Sequence, residues 1–178
     1  MKNIYLLAGP SGSGKSSVAR ELTKRYGLKE AWSYTDRPPR YDGEPGHIFV
    51  TSEEFDAAGK MCAFTLYNGY RYGVPESVIE ENDIYVIDPA GIRYMQERYS
   101  GSKGVVVMAI YASLEERAVR MLERGDEPMA VKERLQTDDR EFENLHLMAD
   151  AWFRNDKLEE TVKAVCAYIM VRESRMRK

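Results

Sequence analysis

The hydrophobic residues of the chain fall into short, separated runs that predict alternating strands and helices. Some runs are brief and continuously apolar, as strands buried on both faces of a sheet are. Others place apolar side chains at helical spacing. The strand candidates are residues 4–8, 84–87 and 105–110, and the helix candidates are residues 15–26, 91–99, 114–124 and 158–169. This alternation is typical of an α/β fold in which helices flank a parallel sheet.

Two segments depart from this alternation. Residues 32–80 carry several prolines and short aromatic runs, such as 64–67 and 70–72, which predict a small antiparallel insert. Residues 113–147 hold two charged helical stretches around the break Gly125–Pro128, which favours a hinged helical lid. We therefore expect a single domain with three parts. The core comprises residues 1–31, 81–112 and 148–178, the insert residues 32–80, and the lid residues 113–147.

Composition and charge narrow the function classes. The 178 residues are 43% hydrophobic and 31% charged, values that fit one globular domain and exclude a disordered chain. A net charge of −3 gives no general reason to bind nucleic acid or an acidic membrane. The longest apolar run, 105–112, is far shorter than the ~20 residues of a membrane span. We expect a cytoplasmic monomer or homodimer with no secretory signal, in which Cys62 and Cys166 are reduced.

The most specific motif follows the first predicted strand. Residues 9–16 read GPSGSGKS and match G-x-x-x-x-G-K-[ST] at every fixed position. Glycines let the backbone N–H groups curl around a phosphate, a lysine adds positive charge, and the final hydroxyl ligates Mg²⁺. The helix that begins near Lys15 directs its positive end at the same anion. The residues expected to bind ATP here are Gly9, Pro10, Ser11, Gly12, Ser13, Gly14, Lys15, Ser16 and Ser17.

Asp88 is the next candidate, because it ends a predicted buried strand. Ligands of α/β proteins bind at the carboxyl ends of strands, where Asp88 would order Mg²⁺ or contact an acceptor. Asp88 to Gly91 also imitates the D-x-x-G element of GTPases, but no N-K-x-D motif follows. A simple helix cap explains Asp88 as well, so both interpretations stay open.

A second anion site is predicted at the two arginines of an extended, proline-containing segment. Arg37 and Arg40 flank Pro38 and Pro39, and in a polyproline conformation they leave the same side of the chain roughly 9 Å apart. Two guanidinium groups held in this way converge on one phosphate. The alternative is a solvated basic turn paired with nearby acidic residues.

These motifs, in this order, resemble the guanylate kinase family. The resemblance runs from about residue 3 to 160 and includes GPSGSGKS, the S-x-T-x-R-x-P-R pattern beginning at Ser33, and Tyr70-x-Tyr72-Gly73. It implies that Ser33, Arg37, Arg40 and Tyr72 hold the acceptor's phosphate. It also implies that Asn155 lies near the adenine of ATP. Arg124 and Arg134 of the lid would then reach the transferred phosphoryl group.

The sequence departs from that family's pattern in the base-reading region. Ala63 stands where the family has a glutamate that reads guanine, and Val74 and Glu76 replace hydroxyl residues. His47 takes the place of a phosphate-binding tyrosine. Buried polar partners provide much of the discrimination between bases. Both phosphate sites are thus expected to persist, while the base pocket differs.

The expected activity is ATP-dependent phosphoryl transfer to a nucleoside monophosphate, converting GMP to GDP. The expected catalytic residues are Lys15, Arg37, Arg124 and Arg134. Mg²⁺ would be held at Ser16 and Asp88, and His47 and Asp88 would join the acceptor site. Two alternatives stay open: another nucleotide or small phosphorylated metabolite as acceptor, and a non-catalytic module that binds protein partners. A solvated helix face explains Arg117 and Arg120 as well as a catalytic role does, so neither is counted among the catalytic residues.

Overall fold

The computed structural model describes residues 1–39, 41–44, 46–67 and 69–175. In these ranges the strands are β1 (Asn3–Ala8), β2 (Glu30–Ala31), β3 (Ser33–Thr35), β4 (His47–Phe49), β5 (Met61–Tyr67), β6 (Tyr70–Pro75), β7 (Ile84–Val86), β8 (Gly104–Tyr111) and β9 (Ala151–Arg154). The helices are α1 (Lys15–Tyr26), α2 (Ser52–Ala57), α3 (Glu76–Glu81), α4 (Pro89–Arg98), α5 (Leu114–Glu123), α6 (Pro128–Glu141) and α7 (Leu158–Arg175). A short 3₁₀ turn covers Leu145–Leu147.

The central sheet is parallel and buried on both faces. Within the described residues it has five strands in the order β2-β7-β1-β8-β9. Alternate side chains of β1 enter two separate clusters: Leu6 packs with Ile92 of α4, and Leu7 packs with Leu22 of α1 and Val165 of α7. The predicted α/β fold, with helices flanking a parallel sheet, is therefore confirmed. The sequence missed β2, because two residues are too few to show a strand pattern.

The carboxyl ends of the parallel strands gather the candidate chemistry at one edge. The glycine-rich loop follows β1, Asp88 follows β7, and Asn155 follows β9. In parallel sheets this edge forms the ligand-binding crevice, because all the loops that leave the strands open on the same side.

A second sheet, with four strands in the described ranges, is built from residues of the predicted insert. Its order is β4-β3-β6-β5, and the β3–β6 and β5–β6 pairs are antiparallel, as expected. The β3–β4 pair is parallel, which the sequence did not predict. A parallel pair needs a long connection in place of a tight turn, and the arginine-proline segment that follows β3 supplies it.

Two helices follow β8 across the same edge of the sheet. Helix α5 begins with a capping box formed by Ser113 and Glu116, and it ends before Gly125, whose φ of 93° is left-handed. Helix α6 then starts at Pro128. None of the helices in the described ranges combines the length and apolar composition that a membrane span requires.

Candidate active site

The glycine-rich loop connects β1 to α1 in a conformation that only glycine tolerates at three positions, Gly9, Gly12 and Gly14. Gly12 and Gly14 have φ values of 75° and 93°. A Cβ atom on Gly12 would lie 2.6 Å from the backbone oxygen of Arg117, and one on Gly14 would lie 2.2 Å from Nδ2 of Asn155. The curvature of the loop thus depends on these glycines.

Lys15 is folded back against its own loop. Its ammonium group donates to the carbonyl oxygen of Gly9 and, at 3.1 Å, to that of Pro10. Burial lowers the pKa of Lys15 to about 8, although the nearby carboxylate of Asp138 acts in the opposite direction. A poorly solvated cation of this kind gains more from an arriving phosphate than a hydrated surface lysine does.

The side chain of Asn155 hydrogen-bonds to the backbone of the glycine-rich loop. Its Nδ2 donates to the carbonyl oxygen of Ser13 at 2.8 Å, and Arg120 donates to the backbone oxygen of Asn155 at 2.6 Å. Among the described residues, Asn155 Oδ1 and Ser13 Oγ are buried without a hydrogen-bond partner. The resemblance placed Asn155 near adenine, whereas the contact seen here joins it to the loop backbone.

A buried ion pair between α5 and α6 was missed by the sequence analysis. Arg117 Nη2 lies 2.6 Å from Asp138 Oδ2, and both side chains are only 7% exposed. Arg117 Nε donates to the carbonyl oxygen of Ser11 at 2.9 Å. Its spacing from Arg120 and Arg124 left a solvated face and a catalytic role equally open. The sequence signal that could have indicated this burial is Met121, an apolar residue one helical turn after Arg117. Met121 is fully buried on the same face of α5.

The carboxylate of Asp138 also contacts the glycine-rich loop directly. The amide of Ser11 donates to Asp138 Oδ2 at 2.8 Å, and the Ser11 hydroxyl lies 3.2 Å from Oδ1. The sequence offered no signal for this contact, because Ser11 and Asp138 are 127 positions apart.

Arg37 is held in the insert by several groups, among them the carbonyl oxygen of Pro38, to which its Nη1 donates at 2.8 Å. Its Nε donates to the Tyr72 hydroxyl at 3.0 Å, its Nη2 lies 2.8 Å from Glu44 Oε1, and its guanidinium carbon sits 5.2 Å from the centre of the Phe49 ring. Arg37 and Tyr72, both expected in the acceptor site, are thus in direct contact. Arg40, the expected second arginine, lies outside the described residues.

Ser33 and His47 meet on neighbouring strands. Ser33 Oγ lies 2.8 Å from His47 Nδ1, and the His47 ring packs edge-on against Tyr72, with centroids 5.3 Å apart. Tyr85, on β7, lines the same cleft as these side chains and is buried, and this burial raises the pKa of its hydroxyl. The structure therefore brings Ser33, His47 and Tyr72 together, and adds Tyr85, an apolar strand position in the sequence analysis.

The loop and the insert face each other across one cleft of about 670 Å³. Lys15 and Asp138 line it on one side, and Ser33, His47 and Tyr72 line it on the other. Asp88 also lines the cleft. Its Oδ1 accepts from the amide of Gly91 at 2.6 Å and so caps α4, while its charge acts on Lys15 by raising the pKa of that lysine. The capping interpretation and a position in the cleft both hold for Asp88.

The base-reading departures are also visible in the cleft. Ala63 lines it and is buried, and Val74 is fully buried in the core. Glu76 does not line the cleft: its carboxylate binds Lys60 at 2.9 Å and the amide of Ser100 at 3.0 Å. Arg93, on α4 five positions after Asp88, lines the cleft instead and was not singled out from sequence.

Arg124 and Arg134, the two arginines expected in a lid, share one carboxylate outside the cleft. Arg124 and Arg134 lie 2.6 Å and 3.4 Å from Asp126 Oδ2, and both side chains are about half exposed. Arg124 is nevertheless close enough to Lys15 for its charge to lower the pKa of the lysine. The structure does not bring Arg134 into contact with the loop.

Comparison with known proteins gives relatives over most of the chain. A family model described as an AAA domain matches residues 6–144. A guanylate kinase of Thermobifida fusca is 33% identical over 180 residues, which cover 93% of this chain and 87% of the relative. A guanylate kinase of Gloeobacter violaceus is 32% identical over 184 residues, which cover 93% and 85%.

A solved structure agrees with these relatives. The crystal structure of guanylate kinase from Anaplasma phagocytophilum has a TM-score of 0.64 and 25% identity, and the match covers 96% of this chain and 85% of that chain. The AAA-domain match covers most of the chain and includes the glycine-rich loop, so the chain carries the AAA domain that this model describes. With relatives above 30% identity over most of their length, the chain belongs to the guanylate kinase family and is a nucleoside monophosphate kinase.

Proposed function

We propose that the protein transfers the γ-phosphoryl group of ATP to GMP, giving ADP and GDP. The observation that carries the proposal is the cleft that Lys15 of the loop and Ser33 and Tyr72 of the insert line together, with Arg37 hydrogen-bonded to Tyr72. A phosphoryl transfer needs two anion sites that open into the same cleft, one for the donor and one for the acceptor. The relatives named guanylate kinase support the choice of GMP.

The residues divide into donor and acceptor groups. Lys15 and the loop amides bind the β- and γ-phosphates of ATP, with Asn155 holding the loop's shape from behind. Arg37 and Tyr72, with Arg40, Ser33 and His47, bind the acceptor and its phosphate. A phosphate oxygen is already an anionic nucleophile. The site therefore works by alignment and charge neutralisation and needs no strong general base.

Mg²⁺ fits the oxygen donors at the edge of the loop. Ser16 is exposed at the first turn of α1, and the Asp88 side chain is exposed at the cleft. In the described part of the chain, no three His, Cys, Asp or Glu side chains cluster as an all-protein cage would require. Mg²⁺ commonly binds through one or two protein oxygens together with waters and substrate phosphates. When bound at Ser16 and Asp88 it would neutralise phosphate charge.

The segment 113–147 acts as the lid in this proposal. Gly125 separates α5 from α6, and its left-handed φ of 93° marks a point at which the chain direction changes. Arg124 and Arg134, which share Asp126, lie next to this break. Closure would bring one or both guanidinium groups to the transferred phosphoryl group and would exclude water.

A different acceptor is the second candidate, because the base pocket lacks the expected carboxylate. Ala63 lines the cleft where the family has glutamate, and Glu76 binds Lys60 elsewhere. Asp88 and Arg93, which follow β7 in the chain, are charged residues that line the same cleft. Asp88 would accept from N–H groups of a base, and Arg93 would donate to a carbonyl oxygen.

The test is ADP release measured with GMP, dGMP, AMP, UMP and sugar phosphates as acceptors. The proposal predicts the highest kcat/KM with GMP, and faster turnover of another acceptor would establish the second candidate. Lys15→Ala is the control: we expect loss of turnover with the fold retained. Calorimetry with Mg·ATP separates both enzymes from a non-catalytic binding module, which would bind no donor.

A further inference from the structure

The carboxylate of Asp138 makes the contacts that a phosphate oxygen makes in a loop of this kind. It accepts from the amide of Ser11 at 2.8 Å and lies 3.2 Å from the Ser11 hydroxyl. Backbone amides of such loops are the groups that receive the donor's phosphates. An anion from the lid helix α6 thus occupies part of the donor site.

The surrounding cations are engaged by the same carboxylate. Arg117 lies 2.6 Å from Asp138, and the charge of Asp138 acts on Lys15, whose pKa it raises against the effect of burial. Arg117 is also tied to the loop through the bond from its Nε to the carbonyl oxygen of Ser11, at 2.9 Å. If α6 moved away, Arg117 would remain at the loop with its Nη2 free to bind another oxyanion.

We propose that Asp138 is a positioning residue that holds the place of a donor phosphate on the loop. Binding of the triphosphate displaces the carboxylate from Ser11, releases α6, and transfers Arg117 from Asp138 to the phosphate. The inference rests on the proposed function, since it takes the loop as the donor site. It adds a link between donor binding and movement of the lid, and a further phosphate-binding arginine.

The test uses inorganic tripolyphosphate, which engages the phosphate loop without a base. Its dissociation constant is measured by calorimetry on the full chain for wild type, Asp138→Asn and Asp139→Asn. Asp139 is the matched control because it lies on the same helix and is exposed. A competing group lowers apparent affinity by the fraction of sites it occupies. We expect Asp138→Asn to bind tripolyphosphate about tenfold more tightly, and Asp139→Asn to stay within about twofold of wild type.

A purely structural role for Asp138 would give the opposite sign, because a less ordered loop binds anions more weakly. Equal or weaker binding by Asp138→Asn therefore overturns the inference, and thermal unfolding of each variant establishes that it is folded. Turnover of GMP by wild type is scored separately, so a failure of the proposed function is recognised independently of the comparison of affinities.

Hydrogen exchange on the wild type supplies a second measurement that needs no variant. Addition of tripolyphosphate is expected to speed amide exchange in α6, since displacement of Asp138 removes the contact that fastens this helix to the loop. Unchanged or slower exchange in α6 in the presence of bound tripolyphosphate contradicts the displacement.

Discussion

Replacing Arg117 by methionine is expected to destabilise the protein strongly. The change leaves the Asp138 carboxylate in a site where 7% of its side chain is exposed, with the Ser11 amide and hydroxyl as its remaining donors in the described structure. Removing one partner of a buried ion pair costs about 3–5 kcal/mol. Because the two Ser11 contacts compensate in part, we expect the lower end, about 3 kcal/mol. For a chain of this length that corresponds to about 6–12 °C in Tm.

Urea unfolding and calorimetry measure this loss of stability, and two further variants show whether it comes from the buried ion pair. The double variant Arg117→Met/Asp138→Leu removes both charges, and it should recover to within about 1 kcal/mol of wild type, since an apolar replacement of a buried pair is often neutral. Arg124→Met, at the half-exposed pair with Asp126, should change stability by less than about 1 kcal/mol. A cost below about 1 kcal/mol for Arg117→Met, or a double variant no more stable than the single one, would refute the buried pair.

Three further predictions concern the two substrate sites. The pKa of Lys15 is about 8 in the folded protein and about 10.4 in an unfolded chain, so the charged lysine destabilises the folded state. This destabilisation is complete below pH 8 and decreases as the pH rises above 8, because the folded protein then loses the proton first. Wild type should therefore gain about 1.5 kcal/mol relative to Lys15→Met between about pH 8 and 9.5 in urea unfolding, and a constant difference would contradict this. Arg37→Ala should raise the KM of the acceptor at least about tenfold while the KM of ATP stays within about twofold. Arg98→Ala, at an exposed arginine, is the control. A larger effect on the KM of ATP than on that of the acceptor would reverse the assignment of the two sites. Asn155→Ala should raise the KM of ATP about fivefold, because it removes one buried hydrogen bond to the loop. An effect confined to the KM of the acceptor would show that this hydrogen bond does not support ATP binding.

The fold was accessible from the sequence where local pattern and burial agree. The run 4–8 is apolar at every position because β1 lies between two strands and has helices on both faces, so all of its side chains are buried. The parallel β3–β4 pair was not accessible, since the direction of a three-residue strand depends on how the connecting segment returns. That return is set by tertiary contacts, among them the Arg71–Asp36 pair at 2.6 Å.

The site was accessible where a motif fixes the backbone and less so where distant side chains meet. The glycines of the loop follow from its curvature, and the contact of Arg37 with Tyr72 agrees with their shared place in the predicted acceptor site. For Arg117 the sequence left a solvated face and a catalytic role equally open, because helical spacing gives neighbours within α5 only. Its partner Asp138 comes from another helix, and only the packing of α5 against α6 shows that this charge is buried.

The central claim is that donor and acceptor sites face each other in one cleft, and a bisubstrate analogue tests it most directly. The analogue joins adenosine to guanosine through five phosphates, and its binding is measured by calorimetry on wild type, Lys15→Ala and Arg37→Ala. The account predicts one molecule bound per chain, more tightly than ATP or GMP alone, with affinity lost in both variants. Binding no tighter than that of ATP, or sensitive to only one of the two substitutions, would contradict it.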